Sequence, residues 1–256
     1  MMPGSRAPVP LFSAFARGNW LVILMVGLWG CSEPQASGSN QPPGSPDAVS
    51  GPAPASDPAT KSDIPRGEGF DFYVLALSWS PSYCRAEGGE ADQRQCAPGR
   101  NPGFVVHGLW PQLERGYPEF CATREPDRVP EALGRSILDV IPTMGLVGHQ
   151  WRKHGSCSGL TQRDFFDTLR AAAARVKVPH DLAAPARDAR VDPDAVETAF
   201  STVNPGLSLR AMAVICRQGL LREVRICLSR DLAFRPCGEV DATGCKADTT
   251  LLPASR

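Results

Sequence analysis

Three of the four histidines fall in two short segments, Phe104–Gln112 (FVVHGLWPQ) and His149–Gly159 (HQWRKHGSCSG). The second segment also carries a lysine, a tryptophan and a cysteine. Two histidines can divide acid–base work, one taking a proton while the other gives one, and a lysine can hold the charge that builds between them. Phosphodiester cleavage needs that combination: a base for the attacking hydroxyl, an acid for the leaving oxygen, and a cation for the phosphoryl oxygens. Placed on a helix at about 100° per residue, His149, Lys153, Gln150 and His154 share an arc of about 140°. A solvated polar face is the plainer account of such an arc, but it does not explain two histidines and an amide gathered around a lysine. A metal site fits less well. The histidines are spaced i to i+5 with no intervening glutamate, and Lys153 would repel a cation. His180, the fourth histidine, lies in a Pro/Ala-rich loop and reads as surface.

The elements around these segments must hold them together. Phe70–Trp79 is rich in aromatic and branched residues and reads as a buried strand. Phe104–Val106 is a short strand that delivers His107 at its end. Ala211–Cys216 and Leu221–Leu228 flank Arg-Gln-Gly and read as a pair of strands. Helices are expected at Pro130–Val140, Leu146–His154, Asp164–Val176 and Pro193–Val203. Thr161 and Asp164 are spaced as a capping box, Asp192 caps the last helix, and Asn204-Pro205-Gly206 stops it. The fold class is therefore α+β, an antiparallel sheet with helices packed on one face.

The two ends of the chain differ. Residues 1–19 carry only Arg6 and Arg17 as charges, and Trp20–Trp29 is a ten-residue apolar run. That run is too short to span a bilayer and reads as the core of a secretory signal. It ends in Gly30-Cys31, which resembles a bacterial lipobox, so residues 1–30 are expected to be a lipoprotein-type signal and Cys31 the lipidated residue. Residues 31–67 follow as a tether. Pro, Ser, Ala and Gly fill 23 of the 35 positions from Ser32 to Arg66, with no aromatic. Such a stretch cannot bury enough apolar surface to offset its ordering entropy, and as a coil it would reach roughly 35 Å. Residues 68–256 are then the folded domain. Setting Cys31 aside leaves eight cysteines, 84, 96, 121, 157, 216, 227, 237 and 245. In an exported chain an even number implies up to four disulfides, whose pairing the spacing alone leaves open. The domain holds 23 basic and 23 acidic residues, so it has no general attraction for polyanions. An anionic substrate must be held by local groups.

Taken together, His107-Gly108-Leu109-Trp110-Pro111 and His149-Gln150-Trp151-Arg152-Lys153-His154-Gly155-Ser156-Cys157 resemble the two active-site segments of the ribonuclease T2 family. One of these is built on HGLWP and the other on His-Glu-Trp-x-Lys-His-Gly-x-Cys. Leu75–Cys84 (LALSWSPSYC), Tyr117–Cys121 (YPEFC) and Leu221–Cys227 (LREVRIC) are similar to further family segments, so the resemblance spans about residues 70–245. It implies cleavage of single-stranded RNA to 2′,3′-cyclic phosphate and then 3′-phosphate ends, without metal or cofactor. By the same resemblance His154 is the general base, His107 the general acid, Lys153 the cation for the transition state and His149 a phosphate-binding group. Trp110 and Tyr117 are implied to stack on a base, with core packing as the alternative for each.

The implied disulfides are Cys84–Cys96, Cys121–Cys157, Cys216–Cys245 and Cys227–Cys237. Gln150 departs from the family, which has Glu there; an amide can donate a hydrogen bond but cannot carry a proton or tune His154 as a carboxylate would. Reduced or pH-shifted activity is expected. At Gln112 fungal members have an acidic residue, and its absence points to broad base specificity. The reading is thus of an exported, monomeric, broad-specificity endoribonuclease. It would touch a membrane only through a lipid on Cys31 and be held in the periplasm or cell envelope, or else be secreted. Its rivals are a T2-like protein that binds RNA or another partner without turnover, and a metal-dependent phosphoesterase that would lose activity in chelator.

Overall fold

The computed structural model describes residues 64–100 and 102–255. The expected signal, the tether up to residue 63 and Cys31 lie outside the described residues. Packing begins a little before the expected start at Glu68. Ile64 rests against the core, and the Pro65 carbonyl accepts a hydrogen bond from the Thr168 hydroxyl at 3.3 Å.

In chain order the first elements are β1 (Phe72–Trp79), α1 (Ser80–Glu87), α2 (Gln93–Cys96), β2 (Phe104–Gln112), α3 (Glu131–Ser136) and α4 (Met144–Lys153). Then come α5 (Gln162–Arg175), α6 (His180–Ala183), β3 (Ala189–Val191), α7 (Pro193–Val203), β4 (Met212–Arg217), β5 (Leu220–Leu228), α8 (Gly238–Ala242) and β6 (Thr250–Leu252). β1 is apolar along its length because it is central: it pairs antiparallel with β2 on one side and β5 on the other. β4 and β5 form a hairpin through Gln218 and Gly219, both at positive φ (53° and 73°), as a tight two-residue turn requires. β3 and β6 pair antiparallel, and β6 meets β5 at a single parallel bridge, Leu220 with Leu251. The sheet is antiparallel apart from that bridge, in an α+β arrangement.

Several elements differ from expectation. β2 does not stop at Val106 but runs on to Gln112. Pro111 is tolerated within the strand because β2 lies at the edge of the sheet. α3 stops at Ser136 rather than Val140, and Gly134 in its middle weakens it. That glycine also lets Met144 of α4 close in, since a Cβ there would meet the methionine side chain. The caps expected for α5 and α7 are present: the Thr161 and Asp192 side chains accept from the backbone N–H groups of Asp164 and Asp194. Thr143 does the same for α4 by accepting from Leu146 N, which starts that helix two residues early.

The main core lies on one face of the sheet. There Tyr73, Leu75, Leu77 and Trp79 of β1 meet Trp151 of α4, Phe165, Phe166 and Leu169 of α5, and Phe200 of α7. The helices are not confined to that face, however. α8 sets Val240 against Phe72, Val74 and Cys227 on the other, forming a smaller cluster on which Trp110 rests. Disulfides join Cys84–Cys96, Cys121–Cys157, Cys216–Cys245 and Cys227–Cys237, the pairs implied by the family resemblance.

Candidate active site

All seven side chains singled out for chemistry, His107, Trp110, Tyr117, His149, Gln150, Lys153 and His154, line one cavity of about 240 Å³. Its wall is completed by Val74, Gln112, Arg225 and Val240. A larger cavity of about 460 Å³ adjoins it and shares His107 and His149 as lining residues. It extends past Ser78, Tyr83, Glu87, Asp92, Arg222 and Glu223. The two hollows therefore meet at the histidines.

β2 presents His107 through an irregularity. Ala76 faces Gly108 and Leu77 faces Val106, so His107 is the extra residue of a bulge in the β1–β2 ladder. Bulges re-aim side chains and recur beside active sites. His107 Nδ1 lies 2.6 Å from Glu223 Oε1 on β5, a contact that strand patterning did not anticipate. Trp110, three residues on, is the hub of the site. Its ring stacks on that of His154 (centroids 5.2 Å apart, interplanar angle 25°) and meets His107 edge-on at 5.2 Å. Its indole Nε1 donates to Gln150 Oε1 at 2.9 Å. Gly108 allows this approach, because a Cβ there would collide with both the Gln150 amide and the indole nitrogen.

α4 supplies the rest. His149, Gln150 and Lys153 lie within it, while His154 is its C-cap and leaves the helix with its backbone N–H still bonded to Gln150 O at 3.0 Å. The following 3₁₀ turn, Gly155–Cys157, is tied by Cys121–Cys157 to the loop that carries Tyr117 and Glu119. That loop is fastened further by Phe120 N donating to Lys153 O at 2.9 Å and Cys121 N to Ser156 Oγ at 3.1 Å. Lys153 Nζ pairs with Glu119 Oε2 at 3.3 Å. Tyr117 is 55 % exposed, which removes core packing as its role; Trp110 is half-buried in the cavity wall. His180 is fully exposed, far from any chemical role.

The electrostatics of the three histidines follow from burial and from their mutual company. His154 is only 6 % exposed, and loss of hydration, then the charges of Lys153, His149 and His107, bring its pKa down to about 3. Its Nδ1 is buried without a hydrogen-bond partner among the described residues, consistent with a neutral ring. His149 is lowered too, by burial first and then by Lys153, His107 and Arg152. Glu223 moves the other way from a buried acid. Burial alone would raise it, but the hydrogen bond and charge of His107, with Arg225 behind them, hold it at about 2. Gln150 is fully buried, and because an indole N–H can only donate, its Oε1 must be the accepting atom. Nε2 is left as a donor with no partner among the described residues. The arrangement can thus offer a neutral imidazole, a second imidazole held by a carboxylate, an ammonium group and an unspent amide donor to one anionic guest.

Glu223, Arg225 and Glu119 were missed in the sequence. In Leu221–Cys227 the charges alternate with Val224 and Ile226, the pattern of any strand with one wet face, so no local signal set Glu223 apart.

A model of the ribonuclease T2 family matches residues 70–237. A ribonuclease of Aeromonas hydrophila is 44% identical over 124 residues, covering 48% of this chain and 48% of that protein. A probable ribonuclease of Haemophilus influenzae is 35% identical over 122 residues, covering 43% of this chain and 44% of its own. The chain therefore matches about half the length of these curated relatives. Among solved structures, an RNase-related protein from Calystegia sepium superposes with a TM-score of 0.58 at 17% identity, covering 74% of this chain and 100% of that one. Trichomaglin, described as an S-like ribonuclease, gives 0.57 at 21% identity, covering 73% and 100%. At such identities these two likenesses bear on the fold alone.

Proposed function

Because the chain belongs to the ribonuclease T2 family, we propose that it is an endoribonuclease that cleaves single-stranded RNA by metal-independent acid–base transphosphorylation. The observation that carries this reading is the convergence of all seven expected side chains on one cavity. His154, kept neutral by burial, takes the proton of the ribose 2′-OH. The 2′-oxygen then attacks phosphorus, the bond to the 5′-oxygen breaks, and His107 gives that oxygen its proton. The products are a 2′,3′-cyclic phosphate and a free 5′-OH. In a second step water, entering where the 5′-oxygen left, gives its proton to His107 and attacks phosphorus. The bond to the 2′-oxygen breaks, His154 returns a proton to that oxygen, and a 3′-phosphate results. DNA lacks the internal nucleophile.

Lys153 stabilises the phosphoryl charge of the transition state, where a preorganised cation or donor is worth a few kcal/mol. The Gln150 amide donor and His149 hold the same oxygens. Glu119 must release Lys153 as the phosphate arrives. The half-buried Trp110 and exposed Tyr117 offer flat faces for a base, and stacking of that kind tolerates any base. The adjoining cavity gives room for the nucleoside on the other side of the scissile bond. Four disulfides suit an oxidising compartment. With the leader pattern and Cys31, they support export to the periplasm or cell envelope, lipid-anchored or freely secreted; we read the enzyme there as a monomer that acts on external RNA. Mass analysis of the mature N-terminus separates these two forms.

Digestion of RNA by the purified protein in excess EDTA, beside His154→Ala, tests the reading. Cyclic or 3′-phosphate ends from the parent alone are expected. If a folded, disulfide-bonded sample cleaves nothing between about pH 4 and about pH 9, the proposal fails. A T2-like protein that grips RNA without turnover, which Gln150 in place of Glu would favour, then takes its place.

A further inference from the structure

We propose that Glu223 is the positioning residue for His107: its carboxylate fixes which ring nitrogen carries the permanent hydrogen and so which one faces the scissile phosphate. The kinetic part of this inference rests on the ribonuclease reading; the geometric part does not. His107 occupies a bulge, so the ladder of β2 does not by itself dictate where its ring points. Glu223 Oε1, at 2.6 Å from Nδ1, supplies the missing constraint. The carboxylate is itself unable to turn. Oε1 also accepts from the Ser78 hydroxyl at 3.3 Å, and Oε2 accepts from Arg225 Nε and Nη2 at 3.0 and 2.9 Å. Arg225 in turn lies 5.1 Å over the Trp110 ring, so the same guanidinium braces both the carboxylate and the hub of the cavity.

The chemical consequence follows from tautomer control. A carboxylate accepts only, so Nδ1 must carry hydrogen in the neutral and in the charged ring alike. Nε2 is then the nitrogen that gains and loses the exchangeable proton. When the bond to the 5′-oxygen breaks, its electron pair goes to that oxygen, which takes the Nε2 proton. The ring that remains is neutral, still anchored at Nδ1, with Nε2 bare to take a proton from water in the next step. Glu223 also offsets the cations that face His107, namely Lys153 on α4 and Arg222 and Arg225 on β5, together with His149 and His154 when these are charged. The other acids lining the adjoining cavity are Glu87 and Asp92; of these, Glu87 is turned toward Arg222, 3.6 Å away. Only Glu223 hydrogen-bonds His107 among the described residues.

The test compares Glu223→Gln and Glu223→Asp with the parent by nitrogen-15 NMR of the imidazole rings and by the pH dependence of kcat and KM. The parent should show His107 as the Nδ1–H tautomer when neutral. In Glu223→Gln the Nε2–H form should appear and the alkaline limb of kcat move about one pH unit lower. kcat should fall about 10- to 100-fold, within the range that general acid–base catalysis contributes, while KM stays near the parent value. Glu223→Asp keeps the charge at a longer reach, so its alkaline limb should stay near the parent and its kcat fall between the two. A folded Glu223→Gln with unchanged tautomer and unchanged pH profile overturns the proposal. Should that variant not fold, a Glu223→Asp protein with parental kcat and ring spectrum does so instead. Should the parent cleave no RNA, the ribonuclease reading falls, and the ring spectra still decide the role of Glu223.

Discussion

Replacing Gln150 with Glu should move the acid limb of the pH–rate profile upward, and the size of the move can be worked from the site. His154 has a pKa of about 3 against the ordinary 6.5. At about 1.4 kcal/mol per pH unit, that gap is roughly 5 kcal/mol set against charging the ring. Residues 150 and 154 are four apart at the end of α4, and both line the same cavity. Such neighbours lie about 5–6 Å apart on a helix. A carboxylate at that distance attracts an imidazolium by roughly 3 kcal/mol at an effective dielectric near 20. That is equivalent to about two pH units. The Trp110 indole, which already donates to Oε1, would donate to the new carboxylate, and Lys153 would help to keep it ionised.

The acid limb of kcat/KM should therefore rise from near pH 3 toward about pH 5. kcat at neutral pH should increase, because a base of higher pKa takes the hydroxyl proton more readily. KM should increase as well, since a carboxylate repels the phosphodiester that the amide welcomes. The assay is kcat and kcat/KM on a dinucleotide from about pH 2.5 to about pH 8, with an NMR titration of His154 in the free protein. If Gln150→Glu is folded and ionised but leaves both the acid limb and the His154 titration in place, the idea that residue 150 tunes the base is wrong.

Three further outcomes are expected. Stability should fall in acid, and the sign follows from two lowered groups. His154 takes up a proton in the unfolded chain near 6.5 but in the folded one only near 3, so its contribution is complete above about 6.5 and is lost as pH falls to 3. Glu223 adds a loss between 4.5 and about 2. Urea midpoints measured against pH should slope upward from pH 3 to 6, and His154→Asn should flatten that slope. Removing the Cys121–Cys157 bridge by double Ser substitution should cost about 2–5 kcal/mol in a chemical melt. It should also lower kcat by more than the unfolded fraction explains, because the loop clamped over Lys153 is freed. Gly108→Ala should cost about 1–3 kcal/mol by overpacking and lower kcat, since the new methyl displaces the Gln150 amide from the Trp110 indole; a parental kcat would refute that account.

The parts of the site that could be read from the sequence are those that local chemistry confines to a few residues. His149, Gln150, Lys153 and His154 are neighbours because one turn of helix makes them so, and Thr161 and Asp192 mark helix starts through side-chain oxygens that cap the first turn. β1 was legible for a similar reason: a strand buried on both faces has few polar choices. What was not legible depends on pairing between distant strands. The continuation of β2 past Val106 rests on its edge position, which no residue in Phe104–Gln112 declares. The bulge at His107 exists only in the register of β2 against β1.

The pairing of Glu223 with His107 is the clearest instance of this limit. Their separation of 116 residues is closed by β1, which carries β2 on one side and β5 on the other. Viewed along β5 alone, Glu223 and Arg225 are two charges on alternate positions, as suited to water as to a site. Burial separates the two readings. Glu223 is 9 % exposed, and a carboxylate removed that far from water persists only where donors replace its hydration. Here they come from three strands: His107 on β2, Ser78 on β1 and Arg225 on β5 itself. Three side chains converging on one buried acid restrict each of them, and the one with a reactive nitrogen to spare is His107. The sheet therefore does more than carry the two histidine segments: through Glu223 it sets the direction in which one of them can act.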